Sequence, residues 1–190
     1  MEHSKIVNLV NTDAVVQLLL ESPVPMRLGY IGIDGYPRVS PVAYIWNGNA
    51  FVFASLPTSY KVKSIAANPM VAFTVDVAGP QAAELRTKVT DIVGVPYDDY
   101  LPLLVTGHGK ASFVVKPGIP QEHIDASRRL VGDDRKAEEW VRIKRKAWSE
   151  MAVVSIIPSH MLVSDYVTRF PRQMGPPRQD PVDVGRAADG

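Results

Sequence analysis

The chain contains no cysteine, which excludes disulfides and thiolate metal centres and is compatible with a reducing compartment. It has no excess of charge of either sign. Twenty-one Lys and Arg side chains face 20 Asp and Glu, for a net charge of +1. Such a balance leaves no electrostatic footprint for wholesale binding to nucleic acid or to a membrane surface. No stretch approaches the roughly 18 uninterrupted apolar residues of a membrane helix. The first eleven residues carry both charge signs and no apolar run of signal-peptide length. The expectation is a soluble, cytoplasmic protein with neither nucleic acid nor membrane as a partner.

Several chemical motifs are also missing. There is no G-x-S-x-G and no P-loop, so acyl transfer through a serine elbow and nucleotide hydrolysis find no support. His3, His108, His123 and His160 are scattered, with no H-x-H or H-x-x-x-H pair, and read as incidental, with no metal site expected. Gly29, Gly32 and Gly35 have G-x-x-G-x-x-G spacing, which is not the dinucleotide fingerprint, and they fall in a strand and its turn.

What is present is β-strand periodicity broken by turns. Thr12 can cap a helix reaching Glu21, with Val15, Leu18 and Leu19 on one face, and Pro23 and Pro25 stop it. Residues 26–33 are apolar and β-prone, and Asp34-Gly-Tyr-Pro37 is a turn. Residues 38–46 read as one strand, with Val39, Ala43 and Ile45 on one face and Arg38, Ser40 and Tyr44 on the other. Asn47-Gly48 is a hairpin signal leading into residues 51–55, so three strands in succession predict an antiparallel meander. Ser59 heads a short helix over 60–68 that buries Val62, Ile65 and Ala66, and residues 70–77 form another strand. Residues 78–102 read as an irregular excursion with a helix near 82–88. A long strand follows over 103–115, interrupted by Gly107-His-Gly109, which suits a bulge at a sheet corner. Pro120 opens a helix that Gly132 ends, and Asp133 or Asp134 caps a second one reaching Trp148. Residues 151–157 and 161–166 are the last strands. Residues 1–170 thus read as one domain, and residues 171–190, with four prolines, as a loose C-terminal tail. The fold class is mainly β: an antiparallel split β-barrel of about six strands with flanking short helices.

Two stretches carry chemistry. Ser55-Leu-Pro-Thr-Ser-Tyr-Lys-Val-Lys63 places hydroxyls and lysines where a strand ends and a helix begins. Free N–H groups and the helix dipole favour a phosphate there, although Ser59 can equally serve as a simple cap. Arg142, Lys144, Arg145 and Lys146 form a basic run before Trp148. They suit either a solvated helix end with favourable dipole interactions or a site for an anionic ligand.

The order of these pieces resembles the pyridoxamine 5'-phosphate oxidase-like family of FMN-binding split barrels. The resemblance runs through Gly29-Tyr-Ile-Gly-Ile-Asp-Gly-Tyr-Pro-Arg-Val-Ser-Pro41, Phe51-Val-Phe-Ala-Ser55 and Thr58-Ser-Tyr-Lys-Val-Lys-Ser-Ile-Ala-Ala-Asn-Pro69. It continues through Val105-Thr-Gly-His-Gly-Lys-Ala111, Ile156-Ile-Pro158 and Thr168-Arg-Phe-Pro171. It implies that Arg38, Val39, Ser40, Pro41 and Val42 lie along the flavin, that Ala54 and Ser55 approach it, and that Ser59, Tyr60 and Lys61 surround its phosphate. Tyr60 stands where the family has an arginine, which brings Lys63 in as a further phosphate ligand. The family's substrate-binding Arg-Leu-x-x-Arg-like segment has no counterpart in Pro176-Pro-Arg-Gln-Asp180, which argues against vitamin B6 oxidation.

The resemblance therefore implies an FMN-dependent oxidoreductase with a small-molecule substrate, the cofactor itself carrying the redox chemistry, so that no catalytic residue is named. It also implies a homodimer, for which Trp46, Phe51, Phe53 and Trp148 are candidate apolar contacts. The alternatives are an F420-dependent reductase on the same barrel, with the basic run serving the anionic tail of F420, and a non-catalytic flavin- or haem-binding carrier or sensor.

Overall fold

A computed structural model describes residues 2–77, 83–94, 102–165 and 169. Two helices come first, α1 (His3–Thr12) and α2 (Ala14–Glu21). The first was not anticipated from the sequence. It buries only Ile6 and Val10, too sparse an apolar stripe to announce a helix. The cap between them is Asp13, not Thr12. The Asp13 carboxylate accepts hydrogen bonds from Val15 and Val16 N–H at 3.0 Å. Thr12 ends α1, with its hydroxyl turned back onto the Asn8 carbonyl.

The strands are β1 (Met26–Ile31), β2 (Pro37–Val42), β3 (Ile45–Trp46), β4 (Phe51–Ser55), β5 (Met70–Val77), β6 (Leu103–Pro117) and β7 (Glu150–Ser164). Among them lie α3 (Tyr60–Ala67), α4 (Ala83–Val93), α5 (Gln121–Val131) and α6 (Asp134–Ala147). The seven strands form one antiparallel sheet in the order β2-β1-β5-β6-β7-β4-β3. The expected split barrel is present, with one strand more than the six expected.

The expected meander is corrected at Ala43 and Tyr44. These two residues divide the single strand read over 38–46 into β2 and β3, which lie on opposite edges of the sheet. Tyr44 is fully buried and donates a hydrogen bond from its hydroxyl to the Leu20 carbonyl at 3.2 Å. With that ring anchored to the end of α2, the chain crosses the barrel seam from β2 to β3. The curl is visible in the core. Phe51 on β4 packs 4.8 Å from Phe73 on β5, ring centroid to ring centroid, although two strands separate β4 from β5 in the sheet. Leu28, Phe53, Val105, Val154 and Ile156 fill the same interior.

The two final strands read from the sequence are one, β7, which pairs with β6 along most of its length. Register shifts between His108 and Gly109 because Ser159 on β7 is the extra residue of a bulge. A Cβ on Gly107 would run into the His160 carbonyl and one on Gly109 into that of Ile157. The Gly-His-Gly signal thus marked the bend correctly, with the bulged residue on the partner strand. Gly132, at φ +65°, closes α5, and Asp133 caps α6 through Lys136 N–H. Residues 78–82 and 95–101 of the expected excursion, the tail 171–190 and most of Thr168-Arg-Phe-Pro171 lie outside the described residues.

Candidate functional site

The end of β2, the end of β4, the head of α3 and the α5–α6 hairpin meet around a groove of about 360 Å³. Pro41 and Val42 from β2, Ala54 and Ser55 from β4, and Ser59 and Lys61 at the head of α3 line it. Six residues proposed for a cofactor from sequence are therefore brought together. The other five lie elsewhere. Val39 is 71% exposed. Ser40 lies with its hydroxyl 3.2 Å from that of Tyr30. Arg38 pairs with Asp34 and stacks on the Tyr60 ring, 4.6 Å from its centroid. Lys63 is exposed, because two steps along a helix turn it about 200° away from Lys61.

Local chemistry at the α3 end is specific. Ser59 occupies the N-cap position with extended backbone, yet its side chain accepts no helix N–H. Its hydroxyl instead accepts a hydrogen bond from Ser55 Oγ at 3.2 Å. Lys61 Nζ donates to the same Ser55 oxygen at 3.3 Å. The cap reading of Ser59 is thus corrected: the hydroxyl points at the groove cluster, and the first N–H groups of α3 are left without a side-chain acceptor. Lys61 forms no ion pair among the described residues, and burial pulls its pKa below the ordinary lysine value. A half-buried ammonium, two hydroxyls and free helix N–H groups form a donor set that suits a phosphate.

The rest of the groove was not read from the sequence. His123 on α5 and Trp140, Lys144 and Trp148 on or just beyond α6 form part of its lining, with Met151. Spacing of four residues along α6 brings Trp140, Lys144 and Trp148 to one side. The Lys144 ammonium lies 2.7 Å from the Trp140 ring centroid and 4.5 Å from that of Trp148. It donates to His123 Nε2 at 3.3 Å. His123 stacks on Trp140 at 5.4 Å and meets Trp148 edge-on at 6.0 Å. Burial, and then the Lys144 charge, push the His123 pKa down to about 4, so it is neutral near pH 7. Burial lowers Lys144 to about 8.

The basic run therefore divides by helix face. Arg142 and Arg145 line a separate cleft between α5 and α6, and Lys144 alone turns into the groove. The Trp140–Lys144–Trp148 spacing was the available signal, but its connection to His123 is purely tertiary. Among the described residues no group of three or more His, Asp or Glu is placed to hold a metal, and no helix is long and apolar enough to cross a membrane.

An antiparallel split barrel with this groove at its seam defines the structural class of the chain. The chain belongs to the pyridoxamine 5'-phosphate oxidase family, whose pattern it matches over residues 12–165. No curated protein sequence matches it. Among solved structures, a conserved hypothetical protein of Mycobacterium tuberculosis superposes with a TM-score of 0.52, at 16% identity over 95% of this chain and 95% of that one. HutZ, the haem storage protein of Vibrio cholerae, superposes with a TM-score of 0.51, at 12% identity over 80% of this chain and 93% of that one. At these identities the likeness is one of fold. An F420 reductase also aligns, at 21% identity over 77% of this chain and 94% of its own, with a TM-score of 0.48.

Proposed function

We propose that this chain is an FMN-dependent oxidoreductase that acts as a homodimer on a small-molecule substrate in the cytoplasm, with no nucleic-acid or membrane partner. The observation that carries this reading is the convergence of Lys61, Ser55 and Ser59 at the head of α3, with no carboxylate beside them in the groove. In this reading Lys61 neutralises the FMN phosphate, and the two serine hydroxyls and the α3 N–H groups donate hydrogen bonds to it. Pro41, Val42 and Ala54 supply apolar contact along the groove. Bound flavin supplies hydride or electron transfer, and the protein supplies its orientation and its shielding from water.

Of the four apolar side chains expected at a dimer contact, Trp46 and Trp148 are half-buried. Phe51 and Phe53 are fully buried in the barrel core, so they are not available to a partner. Exposed apolar side chains on the strands, Val39 on β2 and Val114 and Val115 on β6, support an association surface instead. Light scattering on the flavin-loaded protein should report twice the chain mass, and a monomer overturns the dimer.

The first test is an absorption spectrum of the purified protein with mass analysis of what denaturation releases. FMN is expected; F420, haem or no chromophore after incubation with FMN overturns the reading. The second is Lys61→Ala. A hydrogen bond to a charged group contributes about 1.5–3 kcal/mol, so FMN binding should weaken roughly ten- to a hundredfold. Riboflavin, which lacks the phosphate, should bind the variant nearly as well as it binds the wild type. Equal losses for both flavins reject the phosphate role.

A further inference from the structure

Lys144 is the second ammonium of the groove, and nothing in the phosphate reading uses it. Like Lys61 it lines the cavity and has no carboxylate partner among the described residues. Its surroundings are built, not incidental: Trp140 and Trp148 hold the charge against their ring faces, and His123 accepts one N–H. A lysine with nothing to recognise normally sends its head group into water and leaves only its stem packed. Here the head group is drawn in against indoles, which attract a cation but accept no strong, directional hydrogen bond. His123 can satisfy one of the three donors on an ammonium. The remaining N–H groups are therefore poised for an oxygen anion, and no acidic side chain lines the groove to supply one.

We propose that Lys144 recognises the anionic group, a carboxylate or phosphate, of the small molecule that shares the groove with the cofactor, and that Trp140, Trp148 and His123 hold it in position for this. The assignment of the two lysines to two different ligands rests on the FMN reading of Lys61. The presence of an anion site at Lys144 does not.

The three tryptophans of the chain give a direct readout. Trp46 donates its indole N–H to Asn11 at 2.8 Å and does not line the groove, so its indole resonance is an internal reference. FMN-loaded, 15N-labelled protein is titrated with sodium acetate and, separately, with inorganic phosphate, at ionic strength held constant with chloride. The Trp140 and Trp148 indole signals should move saturably with at least one of the two anions while that of Trp46 stays still. The better anion assigns the group as carboxylate or phosphate. In Lys144→Met, which keeps the apolar stem, the apparent affinity should fall about tenfold or more. A Trp46 signal at its wild-type position shows that the variant is folded, and Lys144→Gln repeats the test should it not be. The same titration on flavin-free Lys61→Ala protein separates the two readings: a persistent response there upholds the Lys144 site even if FMN does not bind. Absence of saturable movement in the wild type, or the same movement in both Lys144 variants, overturns the proposal.

Discussion

Ser55 Oγ donates a hydrogen bond to Ser59 Oγ across 3.2 Å, and the Ser59 hydroxyl caps no N–H of α3. A serine in the N-cap position that does not cap forgoes the roughly 1 kcal/mol that a capping hydroxyl contributes. The Asp13 side chain shows the alternative, with its carboxylate on two N–H groups of α2 and an ion pair to Arg169 at 2.8 Å.

These two positions should respond in opposite ways to alanine. Ser59→Ala should leave the thermal midpoint essentially unchanged, since it removes no cap, and should weaken FMN more than riboflavin. Asp13→Ala should lower stability by about 1–2 kcal/mol, the cost of a lost cap, without discriminating between the two flavins. Melting curves and flavin titrations on both variants check this. A clear loss of stability in Ser59→Ala would show that the hydroxyl does cap α3.

His123 should make the fold sensitive to mild acid. Its folded pKa of about 4 lies below the ordinary 6.5 because it is buried and faces the Lys144 ammonium. Between these values the unfolded chain binds the extra proton and the folded chain does not, so stability falls as pH drops from 6.5 towards about 4. Below that range both states are protonated and this contribution is flat. His123→Asn should remove that part of the slope. Lys144→Met should reduce it, since one of the two causes of the depressed pKa is gone. Urea midpoints measured across the window for the three proteins decide the matter, and parallel slopes in wild type and His123→Asn reject it.

The barrel was legible because its turns and caps are local. Asn47-Gly48, Gly132, Asp133 and the Gly107-His-Gly109 bend each act within a few residues, and each lies where its chemistry requires. The β2–β3 division was not legible. Tyr44 looks like one more alternating strand residue until the barrel seam, Leu20 and Arg129 are in place around it. The groove was half legible for the same reason. Ser55, Ser59 and Lys61 are close in sequence, whereas His123 and Lys144 are 21 residues apart on separate helices and meet only when α5 and α6 pack.

Arg129 is the strongest case of such a long-range contact, and it makes the last prediction. Its guanidinium lies 3.9 Å over the Tyr44 ring. Nε donates to the Tyr44 carbonyl at 2.7 Å, Nη1 to those of Leu20 (3.2 Å) and Ser22, and Nη2 to that of Val24 at 2.9 Å. One side chain of α5 thereby satisfies the carbonyls at the end of α2, those leading into β1, and that of the residue that carries the chain across the seam. No carboxylate pairs with it among the described residues, and burial draws its pKa below the ordinary arginine value. The planar fork is essential, because a lysine ammonium cannot span carbonyls spread this widely. Arg129→Met should destabilise the fold by about 2–4 kcal/mol, as several carbonyls lose their donor at once and a buried acceptor left unpaired costs about 1–3 kcal/mol. Arg129→Lys should fall between the variant and the wild type. Because α5 also carries His123, the indole signals of Trp140 and Trp148 should broaden or shift in Arg129→Met at temperatures where the protein is still folded. Urea denaturation gives the energies. A midpoint for Arg129→Met equal to that of the wild type would mean that water replaces the guanidinium at no cost, and that α5 is held by its apolar face alone.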